Sequence, residues 1–73
     1  MPPTTTTFDR HNAIVRLIGY FLDHQVELAS QRPRVIAAHQ RMVVNARTLS
    51  GPIRRQFLDD ARRYATKLHI PPP

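Results

Sequence analysis

Hydrophobic positions in this 73-residue chain recur at three- and four-residue steps in three stretches, the spacing that gathers side chains onto one side of an α-helix. Ile14, Leu17, Ile18, Phe21, Leu22 and Leu28 form the first set. They predict a helix capped by Thr7 or Asp9 and running to about Ser30. Pro33 ends or kinks it, because its ring pushes Arg32 away from helical dihedrals and suits the first turn of a new helix. A second helix is predicted from Pro33 to Leu49, with Val35, Ile36, Met42, Val43, Ala46 and Leu49 on one side. Ser50-Gly51-Pro52 stops it: serine or glycine caps the next helix and Pro52 fits its first turn. Ile53, Phe57, Ala61, Tyr64, Ala65 and Leu68 carry the third.

Links this short make neighbouring helices pack together. The predicted fold is all-α, a small three-helix bundle or a helical hairpin with one long arm. Proline and threonine dominate residues 1–7 and three prolines occupy 71–73, a composition that cannot build a core. These stretches are expected to be flexible, extended tails on a single three-helix domain of residues 8–70. Cysteine is absent, so helix packing or a partner has to supply what disulfides and thiolate zinc sites supply in other small domains.

Charge adds a second layer. Eleven cations stand against five carboxylates, and ten of those cations are arginine, whose planar fork suits phosphate and carboxylate. A GC-rich genome produces the same bias, so composition alone does not assign a ligand. From Leu28 to Leu58 the chain carries Arg32, Arg34, Arg41, Arg47, Arg54 and Arg55 and no acid. On a helical projection Arg34, Arg41, Asn45 and Thr48 share the face opposite the apolar arc, a row of donors suited to phosphates or an acidic protein groove. Arg54 projects over the apolar arc of the third helix, where it can snorkel past Phe57 or meet a partner's anion. Arg55, Asp59, Arg62, Arg63, Thr66 and Lys67 form that helix's polar face, with Asp59 four residues from Arg55 and Arg63, the spacing of an ordinary solvated surface.

The first helix places Asp9, Asp23 and Glu27 on a narrow face with Arg16, making the charge distribution dipolar. Its apolar arc covers about half the circumference, more than the roughly 100° a surface helix needs. Val15, Leu22 and Val26 form one edge of that arc, with Leu17 and Leu28 at the other, and the first edge is a candidate protein-docking surface.

Reaction chemistry is not legible. His11, His24, His39 and His69 lack four-residue ligand spacing, and His39 falls among apolar positions, so it is expected to be a structural histidine. No nucleophile elbow, glycine-rich phosphate loop or paired-carboxylate cleft occurs, and no catalytic, metal or cofactor-binding residue is expected. Residues 33–68 have the outline of a helix-turn-helix, but Asp59 and Asp60 sit in the middle of what would be the recognition helix.

The longest apolar run, Ile14 to Leu22, contains Arg16 and is far shorter than the ~20 residues of a membrane span. The start lacks the basic and apolar regions of a secretory signal, which favours an intracellular location, in the cytoplasm or alternatively the mitochondrial matrix. These features favour a non-catalytic helical adaptor or regulator docking on a larger nucleic-acid-handling machine, of the kind phages use to control RNA polymerase. Two alternatives remain: direct nucleic-acid binding through the arginines, and a structural subunit of a large organellar or ribosomal assembly.

Overall fold

A computed structural model describes the backbone of residues 3–73 and the side chains of residues 7–73. It is an all-α three-helix bundle: α1 (Pro3–Asp23), α2 (Arg32–Arg47) and α3 (Gly51–Leu68), with a single 3-10 turn at Ala29–Gln31 before α2. The bundle measures 37 × 26 × 16 Å. α2 runs antiparallel to both neighbours and α1 lies alongside α3, so the fold is a closed bundle rather than a hairpin with a free arm.

Each helix contributes most of the stripe its periodicity predicts, with Leu17 and Ile53 left exposed. Ile14, Ile18 and Phe21 of α1 meet Val35, Ala38, Met42, Val43 and Ala46 of α2 and Phe57, Ala61, Ala65 and Leu68 of α3, all buried. Four of these are alanines, and their small side chains let α2 and α3 approach closely. In that contact the His39 ring, itself buried, donates from Nε2 to the Ala61 carbonyl at 2.7 Å. This is the structural role expected for His39.

The helix boundaries depart from expectation at both ends of α1. Residues 1 and 2 of the expected extended tail lie outside the described residues, but from Pro3 onward the chain is already helical. Proline lacks an N–H and suits a first helical position. Threonine costs only a few tenths of a kcal/mol relative to better helix formers, and extending an existing helix avoids the nucleation penalty.

At the other end, α1 stops at Asp23 rather than near Ser30. The His24 ring bonds the Tyr20 carbonyl at 2.9 Å and the Gln25 amide donates to the Leu22 carbonyl at 3.3 Å, satisfying groups a helix end leaves open. A helix continued to Ser30 would leave no chain with which to reverse direction before α2. Glu27 and Val26 therefore sit in the turn, and neither the acidic face nor the apolar edge predicted for α1 extends to them.

The α2–α3 link behaves as its residues dictate. Gly51 has φ +68°, a left-handed conformation that costs glycine little, and Pro52 follows in the first turn of α3. α3 ends where His69 takes a left-handed conformation, φ 58° and ψ 43°. The His69 N–H bonds the Thr66 carbonyl at 3.2 Å and the Ile70 N–H bonds the Ala65 carbonyl at 3.0 Å, the paired bonds of a Schellman cap. Ile70 then folds back onto the core, and Pro71–Pro73 are exposed and non-helical.

Candidate functional site

Two features of the surface stand out once the helices are placed: an arginine-rich pole at one end and an apolar cleft at the other. The antiparallel arrangement creates the pole. It brings the start of α1, the end of α2 and the start of α3 to one end of the bundle, with Arg10 and Arg41 on the α1–α2 groove and Arg54 and Arg55 at the start of α3. Arg10 and Arg41 line a shallow concavity of about 330 Å³ with Ala13, Ile14 and Asn45. Arg54, Arg55 and Arg62 line a second one of about 410 Å³ with Gly51, Pro52 and Leu58.

The arginine stripe expected along α2 is divided by the structure. Arg41 and Asn45 stay together and gain Arg10, which sequence periodicity within α2 could not reveal. Arg34 lies at the far end, at the rim of the apolar cleft. Arg47 faces the C-terminal segment beside Val43, Val44, Ile70 and Pro71. Arg54 and Arg55 are exposed at the start of α3 and share the pole with Arg41 without joining its row.

Among the described residues no carboxylate pairs with Arg10, Arg41, Arg47, Arg54 or Arg55. The ion pairs among the described residues are Arg62 with Asp59 at 3.1 Å and Arg63 with Asp60 at 2.7 Å, and Asp60 also hydrogen-bonds His11 at 3.0 Å. The α3 pairs span three residues, not the four predicted, and Asp59 bonds Arg62 rather than Arg55 or Arg63. Exposed pairs of this type contribute only about 0.3–0.5 kcal/mol each. Asp60 has the longer-range role. Its Oδ2 accepts from Nε2 of His11, a ring 2% exposed and stacked on Phe57 at 3.8 Å, while Phe8 meets the Phe57 edge at 5.4 Å. His11 Nδ1 is buried without a hydrogen-bond partner. This cluster ties α1 to α3, and a histidine placed among polar neighbours in the sequence did not announce it.

Arg54 closes the first turn of α3, where helix electrostatics disfavour a cation, and Arg55 follows it. No acid occupies the first turn of α3, and the Ser50 side chain caps no N–H there. A cation in a first turn is unfavourable by about 0.3–1 kcal/mol at low ionic strength. Both side chains are carried at the positive end of a helix without an internal carboxylate.

The apolar cleft lies between the end of α1 and the start of α2. Leu17, Tyr20, Phe21, Leu28, Gln31, Arg34 and Val35 enclose about 200 Å³. Leu17 is 41% exposed and Tyr20 59% exposed; the sequence pattern places Leu17 at an edge of the apolar arc of α1. Tyr20 is held by stacking on His24 at 4.2 Å. The predicted docking edge is not a continuous surface. Val15 and Leu22 are partly buried against the core, while Val26 is 88% exposed in the turn beyond the helix. Surplus apolar surface of α1 is instead found on its other side, at Leu17 and Tyr20.

Among the described residues, no group of three or more histidines and acids is placed to hold a metal ion. No helix among them is long and apolar enough to cross a membrane. Fold and surface together define a small, basic three-helix protein with two separate exposed patches. No protein-family model, curated protein or solved structure matches the chain.

Proposed function

We propose that this protein is a non-catalytic helical adaptor or regulator that docks on a larger nucleic-acid-handling machine. The observation that carries the reading is the cleft at Leu17 and Tyr20, where exposed apolar side chains lie beside Arg34 and that arginine has no carboxylate partner among the ion pairs described. Tyrosine and arginine dominate protein-interface hot spots, since they combine large contact area with a directional polar group. A fitting occupant is an apolar side chain of a partner protein with a neighbouring carboxylate for Arg34. The stacked Tyr20–His24 pair already holds part of the surface in place, which reduces the ordering cost of association.

Photocrosslinking from position 20 in the native cell tests this. A photoreactive phenylalanine analogue in place of Tyr20 is expected to give a discrete adduct with a subunit of a nucleic-acid-handling machine. Leu17→Asp is expected to abolish the adduct while leaving the helical circular-dichroism spectrum intact. No adduct, an adduct insensitive to Leu17→Asp, or an adduct with a protein unconnected to nucleic acid would each refute the reading.

A further inference from the structure

We infer that the arginine-rich pole binds the phosphodiester backbone of double-stranded nucleic acid. This goes beyond the adaptor reading and uses the opposite end of the bundle from the Leu17–Tyr20 cleft. Arg10, Arg41 and Asn45 meet across the α1–α2 groove, and Arg54 and Arg55 project from the start of α3. These residues come from three helices, so only the folded chain assembles the patch. Asp59 is held by Arg62, and Asp60 by His11 and Arg63, so among the described residues Arg10, Arg41, Arg54 and Arg55 have no carboxylate partner.

The chemistry of the pole distinguishes its ligand. Its cations are all arginine, whose fork can take two oxygens of one phosphate. Both concavities carry arginines at their rims, Arg10 and Arg41 in one and Arg54, Arg55 and Arg62 in the other, with no carboxylate among the lining residues, a single-sign surface that suits a polyanion. Single-stranded nucleic acid is held by stacking on exposed aromatics, and the aromatic side chains at this end, Phe8 and Phe57, are packed against each other and His11. What remains is phosphate recognition without base stacking, the contact a duplex offers. Arg10, Arg41, Arg54 and Arg55 together can neutralise about four phosphates, each contributing about 0.9 to the dependence of log affinity on log salt.

Arg54 and Arg55 sharpen the inference. Arg54, the fourth residue of α3, lies at the end of the first turn, where a cation works against the helix dipole, and Arg55 follows it, so neither gains stability from its place in the helix. Replacing them should therefore separate binding from stability, an outcome that a structural role would not produce.

Fluorescence anisotropy with DNA and RNA duplexes of about 20 base pairs, at about 50 to 200 mM salt, provides the test. The full chain is expected to bind at least one duplex, with log affinity falling by about 3 to 4.5 per tenfold rise in salt. Arg54→Gln with Arg55→Gln is expected to reduce that slope by about 1.8 and to leave the melting temperature unchanged or higher. Arg10→Gln with Arg41→Gln is expected to reduce it similarly. Comparing the DNA and RNA arms identifies which backbone is preferred. Failure to bind either duplex at the lowest salt, or unchanged binding by both double variants, would overturn the inference. Binding of polyglutamate or phosphatidylserine vesicles in preference to both duplexes would overturn it too, assigning the pole to an acidic protein or a lipid surface. Because neither pair of substitutions touches Leu17 or Tyr20, the crosslinking result stands or falls separately.

Discussion

Arg32, in the first turn of α2, donates a hydrogen bond from its guanidinium to the main-chain carbonyl of Leu68 at the end of α3, 36 positions away in sequence. The carbonyl belongs to a helix terminus that lacks an onward helical partner, and a cation there also complements the negative end of the helix dipole. One arginine thereby fastens the start of one helix to the end of the next. It is also removed from the set of basic residues free to meet a ligand.

Arg32→Met, which keeps much of the aliphatic stem, is expected to lower stability by about 1.5–3 kcal/mol, the range for a hydrogen bond to a charged group. In a domain of this size that is a fall in melting temperature of about 6 °C or more. Calorimetry checks it; an unchanged midpoint would show that the bond contributes nothing net.

The His11–Asp60 bond couples α1 to α3 and can be isolated by a double-mutant cycle. His11→Phe and Asp60→Asn, made singly and together, are expected to give a coupling energy of about 0.5–3 kcal/mol in urea unfolding. His11→Ala is expected to cost more than His11→Phe, since it also removes the ring stacked on Phe57 and opens a cavity. Equal costs would show that stacking and filled volume contribute little here.

Two substitutions should stabilise the fold. A Cβ at Gly19 would meet nothing within 4 Å, so Gly19→Ala is expected to add about 0.5–1 kcal/mol through higher helix propensity. His69 holds a left-handed conformation with a side chain that disfavours it, and His69→Gly is expected to add about 0.5–1 kcal/mol by relieving that conflict at the Schellman cap. Thermal melts decide both, and a loss of stability in either variant would show that the native side chain has a compensating interaction.

Ala61 tests the close approach of α2 and α3. It is fully buried, and its carbonyl receives the His39 ring. Ala61→Leu is expected to destabilise by about 1–3 kcal/mol through overpacking. The more tolerant comparison is Ile53→Leu, at an exposed position of the same helix, which is expected to leave the melting midpoint almost unchanged.

Local pattern carried much of this architecture. Periodicity at Ile14, Ile18 and Phe21, at Val35, Met42 and Val43, and at Phe57, Ala61 and Leu68 was sufficient to specify three helices and most of their buried faces, because helical geometry converts spacing directly into orientation. Ser50-Gly51-Pro52 marked the break before α3, since its backbone preferences act within one or two residues, but Pro33 did not mark the end of α1: Arg32 before it takes helical dihedrals, φ −53° and ψ −46°, and opens α2. The length of α1 was less legible. Its end at Asp23 depends on the side-chain caps from His24 and Gln25 and on the reversal required to pack α2, and neither is encoded in a hydrophobic repeat.

Tertiary packing decided which polar residues meet. Arg32 and Leu68, His11 and Asp60, and Arg10 and Arg41 are brought together by the packing of different helices, through contacts that the periodicity of a single helix cannot report. The same packing covered Val15 and Leu22, exposed Leu17 and Tyr20, and divided the arginines between the pole, the cleft and the cap of α3. Sequence by itself determined that the chain is helical, basic and rich in arginine. Only the fold decided which arginines hold the molecule together and which remain free at its surface, because that division depends on distances between segments far apart along the chain.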